Sequence, residues 1–208
     1  MVVRDSHEEV LAFWFPDGLA RDGKALIRQA EWWFRGGADQ EILQRFPPLL
    51  ERAERGELNE WAHTPRARLA LIIVFDQFSR SAYRGSGRAF SNDPKALSLT
   101  LSGLEIGHYA AFDTPWEKTF FVLPLGHSEQ LQSVDLAVKL TEELVREASP
   151  ELRTWFEFSA NQARGHREVI ARFGRHPHRN HLLGRQSTTE ELEYLARGEP
   201  VHLRRLPS

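Results

Sequence analysis

Apolar residues recur along this chain at helical spacing, and no segment of useful length alternates with the period of two that a strand requires. Capping residues and prolines delimit the predicted helices, which fall near 6–15, 23–35, 39–55, 65–82, 94–106, 115–123, 128–148, 150–173 and 188–197. The pattern predicts an all-α fold, with a single compact domain over 1–208 whose short connections join neighbouring helices into antiparallel hairpins.

Proline marks the start of several predicted helices, because a proline at the first helical position loses no intrahelical hydrogen bond. A capping residue precedes proline at Thr64–Pro65, Asp93–Pro94, Thr114–Pro115 and Ser149–Pro150. The pairs Thr114 with Glu117 and Thr188 with Glu191 have the spacing of a capping box. Pro47 and Pro48 fall inside the third segment and should kink or divide it.

The helix predicted over 65–82 contains the longest apolar run of the chain, Leu69 to Phe75, and should be surrounded by other helices. Asp76, Gln77 and Arg80 follow this run directly. Asp76 and Arg80 are four residues apart and share a helix face. The group is interpreted either as an arginine oriented to bind a ligand or as a structural ion pair at the edge of the core.

The segment PLGHSEQL at 124–131 predicts a boundary between two helices. Pro124 and Gly126 should end one helix, and Ser128 should cap the next, with Glu129 favoured in its first turn. This accounts for Ser128 and Glu129 without a ligand. It gives no structural role to His127, which becomes a candidate for hydrogen bonding or proton transfer.

His166 lies on the apolar stripe of the helix predicted over 150–173, a face that should be buried. Ser159 and Ala163 precede it on that stripe and are small, so we expect a gap beside the imidazole. A histidine beside a gap can act as a general base or orient a ligand. The alternative is a core histidine whose hydrogen bonds are satisfied internally.

Positive charge concentrates between Ala163 and Arg185, where six arginines and four histidines accompany a single acid, Glu168. The segment carries a net charge of about +5, within a chain of formal charge −2. Guanidinium groups so concentrated indicate binding of a phosphate, a carboxylate or an acidic partner. A structural tie to acids elsewhere is the alternative. The candidate ligands here are Arg172, Arg175, His178, Arg179, Asn180 and Arg185.

Composition excludes several classes of function. The absence of cysteine rules out disulfides, thiolate metal sites and a cysteine nucleophile. No apolar run is long enough to span a membrane and no leader pattern opens the chain, which predicts a cytoplasmic protein without membrane contact. The near-neutral charge disfavours nucleic acid as a partner. No nucleotide-binding fingerprint is present, and the sequence leaves the identity of any cofactor unknown.

Several histidines and one acid carry groups that can bind metals, but their spacing matches no compact metal-binding motif, and no metal site is predicted. They are His127, Glu129, His166, His176, His178 and His181.

Five sequence blocks resemble the bacterial domain-of-unknown-function family 924: VLAFWF at 10–15, the segment from Gly56 to Trp61, LALIIVFDQFSRSAYRG at 69–85, PLGHSE at 124–129 and RFGRHPHRNHLLGRQSTTEE at 172–191. The resemblance extends in order over nearly the whole chain. It implies a tetratricopeptide-like helical fold and no established activity. Two positions depart from the family pattern: Ser79 stands where proline is expected, and His176 where an aromatic residue is usual.

These observations leave three hypotheses for function. In the first, a polar pocket binds a small anionic molecule: Arg80, Arg175 and Arg179 hold the anion, Asp76 and Glu129 orient the arginines, and His127 and His166 are the catalytic candidates. In the second, a tetratricopeptide-like module binds acidic peptide segments in a concave groove. In the third, the polar residues only tie the C-terminal loop to the core.

Overall fold

The computed structural model describes residues 6–17, 19 and 23–197, and this part of the chain contains helices and turns but no β-strand. The all-α prediction is therefore confirmed. The α-helices are α1 (His7–Trp14), α2 (Gly23–Phe34), α3 (Asp39–Arg45), α4 (Pro47–Glu54), α5 (Pro65–Ile73), α6 (Ser79–Ala82), α7 (Asp93–Glu105), α8 (Pro115–His127), α9 (Leu131–Glu147), α10 (Pro150–Phe173) and α11 (Thr189–Ala196). None of them is sufficiently long and apolar to cross a lipid bilayer.

Many of the helix boundaries lie where proline and capping residues predict them. α3 ends at Arg45 and α4 begins at Pro47, so the proline pair divides the third segment as expected. Thr188 and Glu191 form the predicted capping box at the start of α11. Thr114 accepts a hydrogen bond from the backbone N–H of Glu117 at the start of α8. The carboxylate of Glu117 accepts the hydroxyl of Thr114 instead of its backbone N–H, so this predicted capping box is only half formed.

Thr64 and Ser149 occupy the predicted N-cap positions of α5 and α10 without a side-chain capping bond. The position predicted for the cap of α7 is wrong. Asp93 is the first residue of α7, and Asn92 occupies the N-cap position without a side-chain capping bond. The carboxylate of Asp93 instead contacts two arginines, Arg80 and Arg179. Ion pairing with two guanidinium groups thus replaces the local bond that the sequence predicts.

Two expectations at the end of α8 are also wrong. This helix continues through Pro124 and Gly126 and ends at His127. The next helix, α9, begins only at Leu131, and the hydroxyl of Ser128 accepts the backbone N–H of Gln130 before the helix starts. Pro124 is buried, which indicates that packing against neighbouring helices overrides the intrinsic preference of proline for a helix end.

α5 is the central helix of the fold. Every residue from Ala67 to Ile73 is buried, and the helix packs against α1, α7 and α8. This confirms that its apolar run is surrounded.

The helices α8, α9 and α10 form two consecutive antiparallel hairpins. Short connections join them, and α9 packs extensively on α10. Lys118, near the start of α8, pairs with Glu147 at the end of α9, at 3.4 Å. Because each helix reverses direction, α8 and α10 run parallel to each other. Their C-terminal halves bring His127 and His166 together, with ring centroids 6.4 Å apart.

Candidate functional site

The central helix does not stop at the polar residues that follow its apolar run. It continues through a π-helical turn, Val74–Phe78, into α6. A π turn accommodates one residue more than an α turn and is frequent at functional sites. Asp76 and Gln77 lie in this turn and are buried, with Asp76 only 1% exposed. The wider turn therefore carries a carboxyl and an amide into the interior.

The carboxylate of Asp76 has three side-chain partners. Its Oδ1 lies 2.7 Å from Nδ1 of His127 and 3.2 Å from Nη1 of Arg80, and its Oδ2 accepts the amide of Gln77 at 2.5 Å. Burial alone would raise the pKa of this carboxyl, but the charge of Arg80 and the contact with His127 outweigh it and hold the pKa well below the ordinary value. Asp76 is therefore ionised in the folded protein.

An ionised carboxylate only accepts hydrogen bonds, so Nδ1 of His127 carries the proton that points at Asp76. Nε2 of His127 makes no hydrogen bond within the described part of the chain. The buried acid thus fixes the tautomer and the orientation of the imidazole, and leaves its second nitrogen available.

Asp93 is shared by two arginines. Nη2 of Arg80 lies 3.1 Å from its Oδ1, and Nη1 of Arg179 donates to its Oδ2 at 3.0 Å. The guanidinium of Arg179 also lies over the ring of Phe90, at 4.6 Å from the centroid. Together with Asp76, the cluster contains two carboxylates and two guanidinium groups.

Arg179 is buried more deeply than an arginine usually is. Its side chain is 7% exposed, and burial lowers its pKa from the ordinary value. Its Nε has no hydrogen-bond partner in the described part of the chain. This guanidinium therefore retains an unused donor inside the protein.

Four histidine rings follow one another beside this cluster. Ring centroids are 6.4 Å apart for His127 and His166, 5.3 Å for His166 and His176, and 5.4 Å for His176 and His178. His176 is 1% exposed, and neither of its ring nitrogens has a hydrogen-bond partner among the described residues. Burial holds its pKa far below the ordinary value, so His176 is neutral.

A cavity of about 500 Å³ lies against these groups. Its polar lining comes from the π turn, α6, the end of α8, the middle and C-terminal half of α10, and the 3₁₀ segment Pro177–Arg179. The polar side chains here are Gln77, Arg80, Ser81, His127, Ser159, Gln162, His166, His178 and Arg179. A gap beside His166, bordered by Ser159 and Ala163, is thus confirmed.

The remainder of the cavity wall is largely apolar and aromatic. It comes mainly from α2, the middle of α8, α9 and the first half of α10, and includes Trp33, Phe34, Phe90, Val122, Leu123, Ala137, Trp155, Phe158, Ala163 and Leu182. Arg35, Arg84 and Gly85 also line the cavity and are exposed, so it reaches the surface beside them. Arg84 is paired there with Asp39, at 2.6 Å.

A second ion-pair group contacts the backbone of His176 and does not line the cavity. Arg185 donates to both carboxylate oxygens of Glu129, at 2.7 and 3.0 Å, and the backbone N–H of His176 donates to Glu129 at 2.8 Å. Burial raises the pKa of Glu129, but these hydrogen bonds outweigh it and lower the pKa. The contacts join the loop after α10 to the segment after α8.

Glu191 organises the remaining C-terminal contacts. Arg175 donates to its two carboxylate oxygens at 2.6 and 2.8 Å, the backbone N–H of Thr188 donates at 2.7 Å, and the amide of Asn180 donates at 3.2 Å. The hydrogen bond from Arg175 and these further donors lower the pKa of Glu191 to about 2. Arg172, in contrast, is exposed and pairs with an exposed Glu190.

No group of three or more histidine, aspartate or glutamate side chains within residues 6–17, 19 and 23–197 is arranged to hold a metal ion. The chemistry of the site is that of guanidinium, imidazole and amide groups beside an apolar wall.

The family model for bacterial proteins of unknown function, DUF924, matches residues 10–199 of this chain. The chain belongs to DUF924. A solved structure of a protein of unknown function from Agrobacterium tumefaciens is similar to it, with 29% sequence identity and a TM-score of 0.74. The alignment covers 92% of this chain and 97% of that chain. No curated protein is significantly similar to this DUF924 chain.

The residues predicted from sequence separate into two groups in this DUF924 protein. Those that line the cavity are Gln77, Arg80, His127, His166, His178 and Arg179, with Asp76 directly behind His127. Those in the adjoining ion pairs and outside the cavity wall are Glu129, Arg172, Arg175, Asn180 and Arg185.

Sequence reasoning missed two parts of the DUF924 site. Asp93 was expected only as a cap, yet its carboxylate joins Arg80 to Arg179. The aromatic wall was missed because apolar spacing does not distinguish a core residue from one that also borders a cavity, and Trp155 is both. In the sequence, the small residues before His166, Ser159 and Ala163, indicated the cavity.

Proposed function

We propose that this DUF924 protein binds a small anionic molecule in the cavity, with Arg179 and Arg80 facing the anion. The proposal rests on the position of Arg179 in the cavity wall and on its hydrogen-bond partners. Its buried guanidinium lines the cavity and shares its carboxylate partner, Asp93, with Arg80. Two guanidinium groups that share one carboxylate retain donors for a further acceptor, which an anion in the cavity would supply.

The size and chemistry of the cavity support the same proposal. A volume of about 500 Å³ lies within the range of sites that hold small molecules. Such sites combine an apolar wall with a few polar groups that fix the orientation of the ligand. The guanidinium groups and imidazoles that converge here supply that second component.

His127 contributes an oriented imidazole to the proposed site. Asp76 holds Nδ1, and Nε2 is the nitrogen that meets the ligand. A histidine oriented by a carboxylate can donate a hydrogen bond or exchange a proton with a bound group. His166, the adjacent ring on the cavity wall, is the second group in this role.

Arg175 and Arg185 have a structural role in this proposal. Each forms a two-pronged pair with a carboxylate, Glu191 or Glu129, and neither lines the cavity. The hypothesis that an acidic peptide binds this basic segment has less support, since these arginines are already engaged by internal acids.

Thermal unfolding with added acetate, benzoate or inorganic phosphate tests the proposal, because a molecule that binds the folded state raises the midpoint. We expect at least one anion to stabilise the protein and Arg179→Gln to abolish the effect. Arg172→Gln, on the exposed surface, is the matched control and should retain it. Arg179→Lys keeps the charge and serves as a second variant where Arg179→Gln does not fold.

Native mass spectrometry of the protein purified from the organism that encodes it provides a second readout. A retained small anion that is lost in Arg179→Lys supports the proposal. Equal anion-induced stabilisation of wild type and both Arg179 variants would overturn it.

A further inference from the structure

We infer that the anion is the carboxylate of an amphipathic molecule, whose apolar chain or aromatic ring lies between α8 and α10. This inference rests on the function proposed above and names the class of ligand. Two observations support it. The cavity lining changes from apolar to polar along two parallel helices, and the acidic side chains at the polar end match the arginines there in number.

The change of character is clearest along α10. Its lining residues run from Trp155 and Phe158 through Ser159, Gln162 and Ala163 to His166. At 1.5 Å per residue, Trp155 and His166 are separated by about 16 Å along the helix axis. An aromatic surface at one end thus leads to an imidazole at the other.

The same order is repeated on α8, which runs parallel to α10. Thr119, Val122 and Leu123 line the cavity before Gly126 and His127, over about 12 Å of helix. Thr119 turns its hydroxyl to the carbonyl of Pro115, at 2.8 Å, so its polarity is satisfied within the helix. Two walls therefore present apolar surface at the same end.

The hydroxyl of Thr141 on α9 is also satisfied within its own helix, since it donates to the carbonyl of Ala137 at 2.8 Å. Trp33 and Phe34 from α2 and Trp155 from α10 add aromatic surface, and Phe34 lies 6.3 Å from Trp155 by ring centroids. This end of the cavity offers burial to hydrocarbon and few unsatisfied polar groups.

The charges at the polar end restrict the head group. Asp76 and Asp93 balance Arg80 and Arg179, so the buried cluster is close to neutral before a ligand enters. At the rim, Arg84 is paired with Asp39, and Arg35 is a further exposed charge in the lining. A phosphate dianion or a polyphosphate would bring two or more charges to a cluster with little net charge to receive them. A single carboxylate brings only one negative charge, so it would pair with the planar guanidinium groups and leave less charge uncompensated than phosphate would.

Gly126 offers a direct test of where the apolar part lies. It is inside α8, lines the cavity, and a Cβ added there would meet nothing within 4 Å. Gly126→Leu would place a side chain in the open space between the polar and apolar ends. Gly126→Ala is the matched control, since it adds only one carbon at the same position.

The experiment is a calorimetric titration of the full chain with linear carboxylates from acetate to decanoate, and with inorganic phosphate. We expect the dissociation constant to fall about fourfold for each added methylene until the apolar end is filled. Phosphate should bind no better than acetate. Gly126→Leu should weaken the long carboxylates at least tenfold, while Gly126→Ala keeps their affinity within about threefold.

Different experimental outcomes would overturn this inference and the proposed function. Phosphate or acetate binding as tightly as octanoate, with loss in Arg179→Gln, would overturn the amphipathic ligand and leave the anion site standing. Octanol binding as tightly as octanoate would overturn both. Long carboxylates that bind Gly126→Leu as they bind Gly126→Ala would also refute the placement of the apolar chain.

Discussion

Nδ1 of His127 lies 2.7 Å from Oδ1 of Asp76, and this contact joins the end of α8 to the π turn that follows α5. The two residues are distant in sequence, so the pair forms only when these helices pack. The imidazole of the cavity wall is consequently oriented by a residue of the central helix. Packing of the core and geometry of the site depend on the same contact.

Replacing Asp76 with asparagine should destabilise the protein strongly. The substitution keeps the size of the side chain but removes the charge that pairs with Arg80 and holds the Nδ1 proton of His127. Loss of one partner from a buried ion pair typically costs about 3 kcal/mol or more of unfolding free energy. Urea denaturation measures this change. Asp113→Asn, at an exposed position, is the control, and equal stability of the two variants would contradict the role assigned to Asp76.

His176→Phe should stabilise the protein, and the gain should grow on acidification. The ring nitrogens of His176 are buried without partners in the described part of the chain, and leaving such groups unsatisfied costs about 1 kcal/mol or more. Burial lowers the pKa of His176 in the folded state, whereas a histidine in the unfolded chain has a pKa of about 6.5. Below that pH the unfolded chain binds a proton that the folded protein rejects, so wild-type stability falls.

Urea denaturation at several values between pH 7 and pH 5 tests this prediction. The unfolding free energies of His176→Phe and wild type should diverge steadily as the pH falls. Parallel curves over this range would show that His176 does not contribute to acid sensitivity.

Arg175 and Arg172 should differ in their contribution to stability although both pair with glutamates of α11. Arg175→Gln leaves the carboxylate of Glu191, which is 2% exposed, without its two-pronged partner and should lower the unfolding midpoint. Arg172→Gln removes an exposed pair and should change stability little. Thermal unfolding of the two variants provides the comparison, and equal midpoints would argue against a structural role for Arg175.

Acid should weaken the same contact. In the folded protein the pKa of Glu191 is about 2, whereas a glutamate in the unfolded chain has a pKa of about 4.3. Its stabilising contribution is therefore complete above the unfolded value and is lost as the pH falls towards the folded one. Glu191→Gln should flatten this part of the stability profile, measured by denaturation between pH 5 and pH 2. An unchanged slope would contradict the assignment.

Gly126→Ala should stabilise the protein by about 0.5 kcal/mol, because alanine is favoured over glycine inside a helix. The added Cβ meets nothing within 4 Å, so no steric cost opposes the gain. Differential scanning calorimetry measures the change. A lower midpoint would show that the space beside Gly126 closes in solution.

The sequence predicts helix positions well where the determinants are local. Pro47 divides α3 from α4, and Thr188 with Glu191 starts α11, because each acts on the backbone within a few residues. The continuation of α8 through Pro124 has a different origin, since the surrounding helices stabilise a turn that proline would otherwise end.

The site is predictable only in part for the same reason. Helical spacing puts Asp76 beside Arg80 and places His166 next to small residues, and these relationships lie within single helices. The contacts of Asp93 with Arg179 and of Asp76 with His127 join segments far apart in sequence. Their pairing depends on how helices cross, which periodicity does not specify.

The space between α8 and α10 also affects the volume of the folded protein. Hydrostatic pressure favours the state of smaller volume, and unfolding eliminates internal voids. Although the cavity opens to solvent beside Arg84, apolar surroundings exclude water, so its apolar end makes the ligand-free protein sensitive to compression. A molecule seated between the two helices would remove much of that void, and pressure would then distinguish the filled protein from the empty one.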